Sequence, residues 1–147
     1  MKSLFEPEAF AEINERVEKL DENSIRQWGK MSHGQMVHHC QGPLNIVLQK
    51  NDYGLKPNWI FKTFFKHALW NDKLWRKGLP TVPQFKEREP RDFKVEKAKL
   101  QELIKEFGEK SDQLGNDPHP SFGKITKEQW GKMQYKHLDH HLRQFGV

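Results

Sequence analysis

The chain has 147 residues, 35% of them apolar and 31% charged, with 25 Lys and Arg against 20 Asp and Glu; this length predicts one domain over residues 1–147. Its single cysteine, Cys40, excludes an internal disulfide, and basic residues interspersed with acidic ones argue against a nucleic-acid face. No segment approaches the roughly 20 apolar residues of a membrane span, and the opening MKSLFEPEAF lacks an apolar stretch of signal-peptide length, so a soluble cytoplasmic protein with no membrane contact is expected.

Residues 7–21 (PEAFAEINERVEKLD) form the first expected helix. Pro7 suits a first-turn position, and Ala9, Phe10, Ile13, Val17 and Leu20 recur at helical spacing. A polar connection, ENSIRQWGK, leads to a second helix that opens at Ser32, where Ser32 and Gln35 make a capping box, and runs to about residue 50. Pro43 removes a backbone donor inside it and predicts a kink.

NDYGLKP reads as a turn and residues 58–70 (NWIFKTFFKHALW) as a third, shorter helix. KGLPTVPQFKEREP, with Pro80, Pro83 and Pro90, reads as an extended linker. Residues 92–112 form a long amphipathic helix whose apolar side is expected to carry Val95, Leu100, Leu103, Ile104 and Phe107. After a loop, GNDPHPSFGK, the last helix opens on a second capping box, Thr126 with Gln129, and runs to Phe145, with Gly146 as its C-terminal cap. No strand-like alternation occurs, so the chain is expected to be all-α: a four-helix bundle with one additional short helix.

A helix turns about 100° per residue, which separates the members of each histidine doublet. On the second helix His39 falls in the arc of Met36, Pro43, Ile46 and Val47, while His38 falls beside Asn45 and Gln49. On the last helix His137 and His141 share the side of Trp130, Met133 and Phe145; His140 falls with Gln129 and Lys136 at the wet edge, and Asp139 points the opposite way. Three inward histidines remain: His39, His137 and His141. The i, i+4 pair stacks two imidazoles on one face, and a third from a facing helix would complete a three-nitrogen site with open positions. A histidine on an apolar face is also compatible with an ordinary hydrogen-bonded core residue. Leu138 follows His137, so the H-E-x-x-H motif of zinc proteases, with its Glu base, is absent. Cys40 falls in the core arc and is expected to pack rather than ligate.

MSHGQMVHHCQ, a later HP-x-FG loop and the closing KHLDHHLRQFG together resemble the DinB-like superfamily, and more narrowly a branch known only as a domain of unknown function. The resemblance implies a four-helix bundle and a divalent metal held by one histidine of the second helix and H-x-x-x-H of the last. It places the first ligand seven residues after Ser32, at His39, and the others at His137 and His141. It further implies a candidate pocket residue at His119, and an activity among metal-dependent hydrolases or transferases that use a low-molecular-weight thiol. Zn²⁺ or Ni²⁺ is the expected metal, the substrate an unidentified small molecule, and a homodimer the expected assembly by analogy. Gln144 lies on the His137 face, where it could orient a ligand. The alternative is a non-catalytic binding module, its metal structural or absent, that uses the aromatic and basic segment 58–77 against a second copy, a partner or a membrane surface.

Overall fold

A computed structural model describes residues 1–57 and 67–147. Among the described residues four α-helices follow in chain order: α1 (Pro7–Lys19), α2 (His33–Val47), α3 (Phe93–Glu109) and α4 (Lys127–Gln144), with 3-10 turns at His67–Leu69 and Pro83–Phe85. No β-strand occurs among the described residues, only an isolated bridge between His119 and Gly123, so the fold is all-α. The expected third helix, 58–70, lies mostly outside the described residues; its end, 67–69, is a 3-10 turn.

Local chemistry sets the helix ends. Ser32 Oγ accepts from the Gln35 N–H while the Gln35 side chain accepts from the Ser32 N–H, and Thr126 and Gln129 repeat this at α4. Each box satisfies two donors that a helix start leaves orphaned. α2 stops at Val47, a turn short of residue 50. Gln49 takes the left-handed conformation (φ 57°), and the Lys50 N–H turns back to the Asn45 carbonyl at 2.8 Å. Gly146 (φ 78°) does the same after α4, where the Val147 N–H reaches the Leu142 carbonyl at 3.2 Å. α2 itself runs on through Pro43.

Helix α2 packs most extensively on α3, while α4 meets both α1 and α2. The shared core includes Ile13 and Leu20, Met36 and Leu44, Leu100, Ile104 and Phe107, and Leu138 and Leu142, all buried. Each such side chain contributes about 1.5–3 kcal/mol on burial. Val95, expected on the apolar side of α3, is 51% exposed; Glu96 is buried in its place. Helical arithmetic explains the exchange: 96, 100, 103 and 107 form one stripe, and 95 lies off it. The Glu96 carboxylate accepts from Gln41 Nε2 of α2 (2.7 Å) and Lys99 Nζ (3.0 Å), which satisfies the buried charge.

Two further residues of α4 tie the layers together. Asp139 points away from the histidines, as expected, and meets Arg16 of α1 at 2.9 Å. Lys136 was expected at the wet edge, yet it is 1% exposed. Its ammonium donates to the carbonyl oxygens of Ala68 (2.8 Å) and Asn71 (3.0 Å) and to Asn71 Oδ1 (2.7 Å), and burial brings its pKa down to about 8. The segment after residue 66 lies over this side of α4, a cover invisible to single-helix arithmetic. The proline-rich stretch also departs from a plain extended linker. Its 3-10 turn sets the Phe85 ring against Tyr53 (centroids 5.1 Å) and over Gly42 of α2, where there is no Cβ to block it.

At the start of α2, a Cβ on Gly34 would overlap the carbonyl oxygen of Arg91 in the chain leading into α3. Backbone on both sides leaves no flexible group to yield. Gly34→Ala is therefore expected to cost about 1–3 kcal/mol, read as a lower thermal midpoint. An unchanged midpoint would mean that the α2–α3 corner is not closed as described. No helix among the described residues is long and apolar enough to cross a membrane.

Candidate metal centre

Helix α2 supplies His39, and α4 supplies His137 and His141, one turn apart. All three are buried, and one ring nitrogen from each lies within 4.8 Å of the others. Ring centroids stand 5.0 Å (His39–His137), 4.7 Å (His39–His141) and 4.7 Å (His137–His141) apart. Such a set could hold a metal ion.

Neighbouring acceptors orient two of the rings. His39 Nδ1 lies 3.0 Å from the Phe85 carbonyl oxygen, which can only accept, so Nδ1 carries the proton and Nε2 keeps its lone pair. Gln144 Nε2 donates to the Trp28 carbonyl at 2.9 Å, which turns Gln144 Oε1 toward His141 Nδ1 at 2.8 Å. His141 must donate there as well, again freeing Nε2. Gln144, a residue that the sequence suggests could orient a ligand, here holds His141. The free Nε2 of His39 faces His137 Nε2 at 3.1 Å. Burial lowers the pKa of all three imidazoles, and the neighbouring rings lower those of His137 and His141 further. They are neutral at pH 7, the protonation state that metal ligation requires.

The other doublet members lie outside the three-histidine set. His38 Nδ1 pairs with Glu87 Oε1 at 2.6 Å, on the polar side expected for it. His140, placed by arithmetic at the wet edge, is half-buried, 5.5 Å from the Trp28 ring and 5.6 Å from the Trp75 ring, and it lines the same cavity as the three histidines. Both tryptophans come from connecting segments, which hide it. Cys40 is buried in the core, its pKa pushed up by desolvation, as expected of a packing residue.

A cavity of about 580 Å³ opens on the three histidines. His119 also lines it, 6% exposed. Backbone N–H groups of Ser121 (3.0 Å) and Phe122 (3.4 Å) donate to His119 Nδ1. That fixes the proton on Nε2, and the ring packs against Phe122 and Trp130.

A family model described as "Protein of unknown function (DUF1569)" matches residues 3–146. The chain belongs to this family. No curated protein and no solved structure matches it.

In this DUF1569 chain Trp75, from the aromatic and basic segment 58–77 that the sequence singles out, packs against His137 and His140; sequence reasoning missed Phe85 and Trp28, which frame the histidines from connecting segments. Nothing in their local sequence marks them, although Phe85 lies between Pro83 and Pro90, where an isolated aromatic residue could have been read as a docking point. His119 carries its own prediction. Burial lowers its pKa from 6.5 to about 4. The unfolded chain takes up a proton near pH 6.5 and the folded chain only near 4, so acid favours unfolding. This residue alone should remove up to about 3 kcal/mol of stability as the pH falls from 6.5 to 4. Denaturant titrations of wild type and His119→Asn at pH 7 and pH 4.5 check it. If both lose the same stability, His119 is not the buried neutral group described.

Proposed function

We propose that this chain binds a divalent metal through His39, His137 and His141 and acts as a metal-dependent enzyme on a small molecule. The carrying observation is the pair of fixed Nδ1–H donors, to the Phe85 carbonyl and to Gln144 Oε1, which turn the lone pairs of His39 and His141 inward. Metal-ligating histidines are held this way, their second nitrogen donating to a carbonyl or amide oxygen. Three neutral imidazoles leave coordination positions open, the pattern of catalytic rather than closed structural sites. Zn²⁺ or Ni²⁺ suits a set of imidazoles. When bound, the ion would supply Lewis acidity and lower the pKa of a water or thiol in an open position, as hydrolases and thiol-dependent transferases require.

The chain's own residues do the rest in this reading. Phe85, Trp28 and Gln144 keep the imidazoles in register, and the cavity admits a molecule of limited size beside them. The helical order and the position of the three histidines on α2 and α4 support a four-helix bundle of the DinB-like type; a single domain at work in the cytoplasm completes the reading.

Elemental analysis of untagged protein tests the proposal. Wild type should carry about one equivalent of metal per chain, and the His137→Ala, His141→Ala double variant close to none. Equal content in the two proteins would end it.

A further inference from the structure

The cavity beside the three histidines has a marked chemical bias. Its walls include Leu55, Leu69, Trp75, Val82, Phe122 and Met133. Among its described lining residues there is no carboxylate and no arginine; the one lysine, Lys56, is exposed at the rim. Phosphorylated or zwitterionic molecules need charged walls, which the described lining does not offer; its polar side chains, among them Thr81, Gln84 and Ser121, are neutral.

One polar feature stands out against that surface. His119 is more than nine-tenths buried, and its Nδ1 is occupied by two backbone donors. The opposite edge of the ring, Nε2–H, has no protein acceptor among the described residues, nor is any side-chain polar atom left both fully enclosed and unpaired. The donor is therefore held in place, neutral and available at the cavity. Because it is open to the cavity rather than enclosed, a bound acceptor would take the place of water there.

We infer that the cavity takes an uncharged, largely apolar small molecule with a metal-seeking head group at the three histidines and a hydrogen-bond acceptor for the Nε2–H of His119. The inference rests on the metal-binding reading above. It adds that the body of the ligand is recognised by apolar burial, and that His119 sets where along that body an oxygen must lie.

Hydroxamic acids serve as probes, because their heads bind divalent metals whatever their tails. Calorimetry on zinc-loaded protein would compare acetohydroxamate, octanohydroxamate and glutamate γ-hydroxamate, with metal content measured on every sample. Burying a methylene is worth about fourfold in affinity. Octanohydroxamate should therefore bind at least about a hundredfold more tightly than acetohydroxamate, and the charged probe no more tightly. A loaded protein that shows a flat series, or that prefers the charged probe, overturns this inference alone. A protein that takes up no metal overturns the metal-binding reading, and this inference with it.

The second arm walks a ketone along the octanoyl chain. One position should gain about threefold to tenfold in wild type and nothing in His119→Asn, whose amide oxygen can still accept from Ser121 and Phe122. On wild type itself, the His119 Nε2–H proton resonance should move downfield with that ketone bound. No favoured position, or no movement of that resonance, removes His119 from ligand recognition.

Discussion

His39→Ala is expected to purify with less than about a tenth of the wild-type metal, and His38→Ala with nearly all of it. The two residues are adjacent and chemically identical, so only direction separates them. His39 turns into the α2–α4 interface, its ring pinned by the Phe85 carbonyl and its Nε2 facing His137 at 3.1 Å. His38 turns out and is held by Glu87 at 2.6 Å. The same contrast should appear on α4, with loss for His141→Ala and little change for His140→Ala, whose ring sits between two tryptophans. Gln144→Leu should fall between these extremes. It leaves every ligand in place but removes the acceptor for His141 Nδ1, and losing such an outer partner costs about 10–100-fold in metal affinity. Competition against a chelator after dialysis gives the affinities. Thermal midpoints of the metal-free proteins show whether each variant still folds, since His39→Ala strands the Phe85 carbonyl and costs about 1–3 kcal/mol by itself. Metal loss in His38→Ala equal to that in His39→Ala would refute the assigned directions.

Those directions were legible in the sequence because they depend on one helix at a time. Both capping boxes fix where α2 and α4 begin, and the repeat of the α-helix does the rest; Ser32 and Thr126 stand where they were expected. The i, i+4 spacing of His137 and His141 is a local fact, as is the place of His39 in the arc of Met36 and Pro43. Legibility failed wherever a second segment decides. Lys136 reads as a solvated lysine until the chain around Ala68 and Asn71 is laid over it, and His140 reads as a wet-edge residue until Trp28 and Trp75 close in. Phe85 is one aromatic in a proline-rich stretch, and its carbonyl became a site partner only through a contact 46 residues away in sequence. Val95 is a different failure. The stripe through Leu100 and Phe107 excludes it by angle, whatever its hydrophobicity. Buried Glu96 is tolerated on that stripe because Gln41 of α2 and Lys99 meet its carboxylate.

Lys136→Met should lower the thermal midpoint by several degrees while metal content stays at the wild-type level. Methionine keeps the length and volume of the stem, so the change isolates the ammonium. Two effects oppose each other. Removing a buried cation relieves its desolvation, a cost of several kcal/mol. Against this, three acceptors on the half-buried Ala68 and Asn71 lose a charged donor, each such bond being worth about 1.5–3 kcal/mol. The second effect should win, by about 1–3 kcal/mol, because a single ammonium serves three oxygens and, among the described residues, no other side chain donates to the Asn71 carbonyl. The loss should also be local. Trp75 Nε1 donates to the same Ala68 carbonyl, and Ala68, Leu69 and Trp75 all line the cavity. Freeing that turn should speed proteolysis around residues 67–76 and weaken octanohydroxamate binding, with the histidines themselves untouched. A Lys136→Met protein that is as stable, as protease-resistant and as tight for the probe as wild type would show that the ammonium does not hold the cavity wall. Lys136→Ala should cost more than Lys136→Met, since it adds a void to the same lost donor; the difference between the two variants measures packing, and the loss already present in Lys136→Met measures the tether.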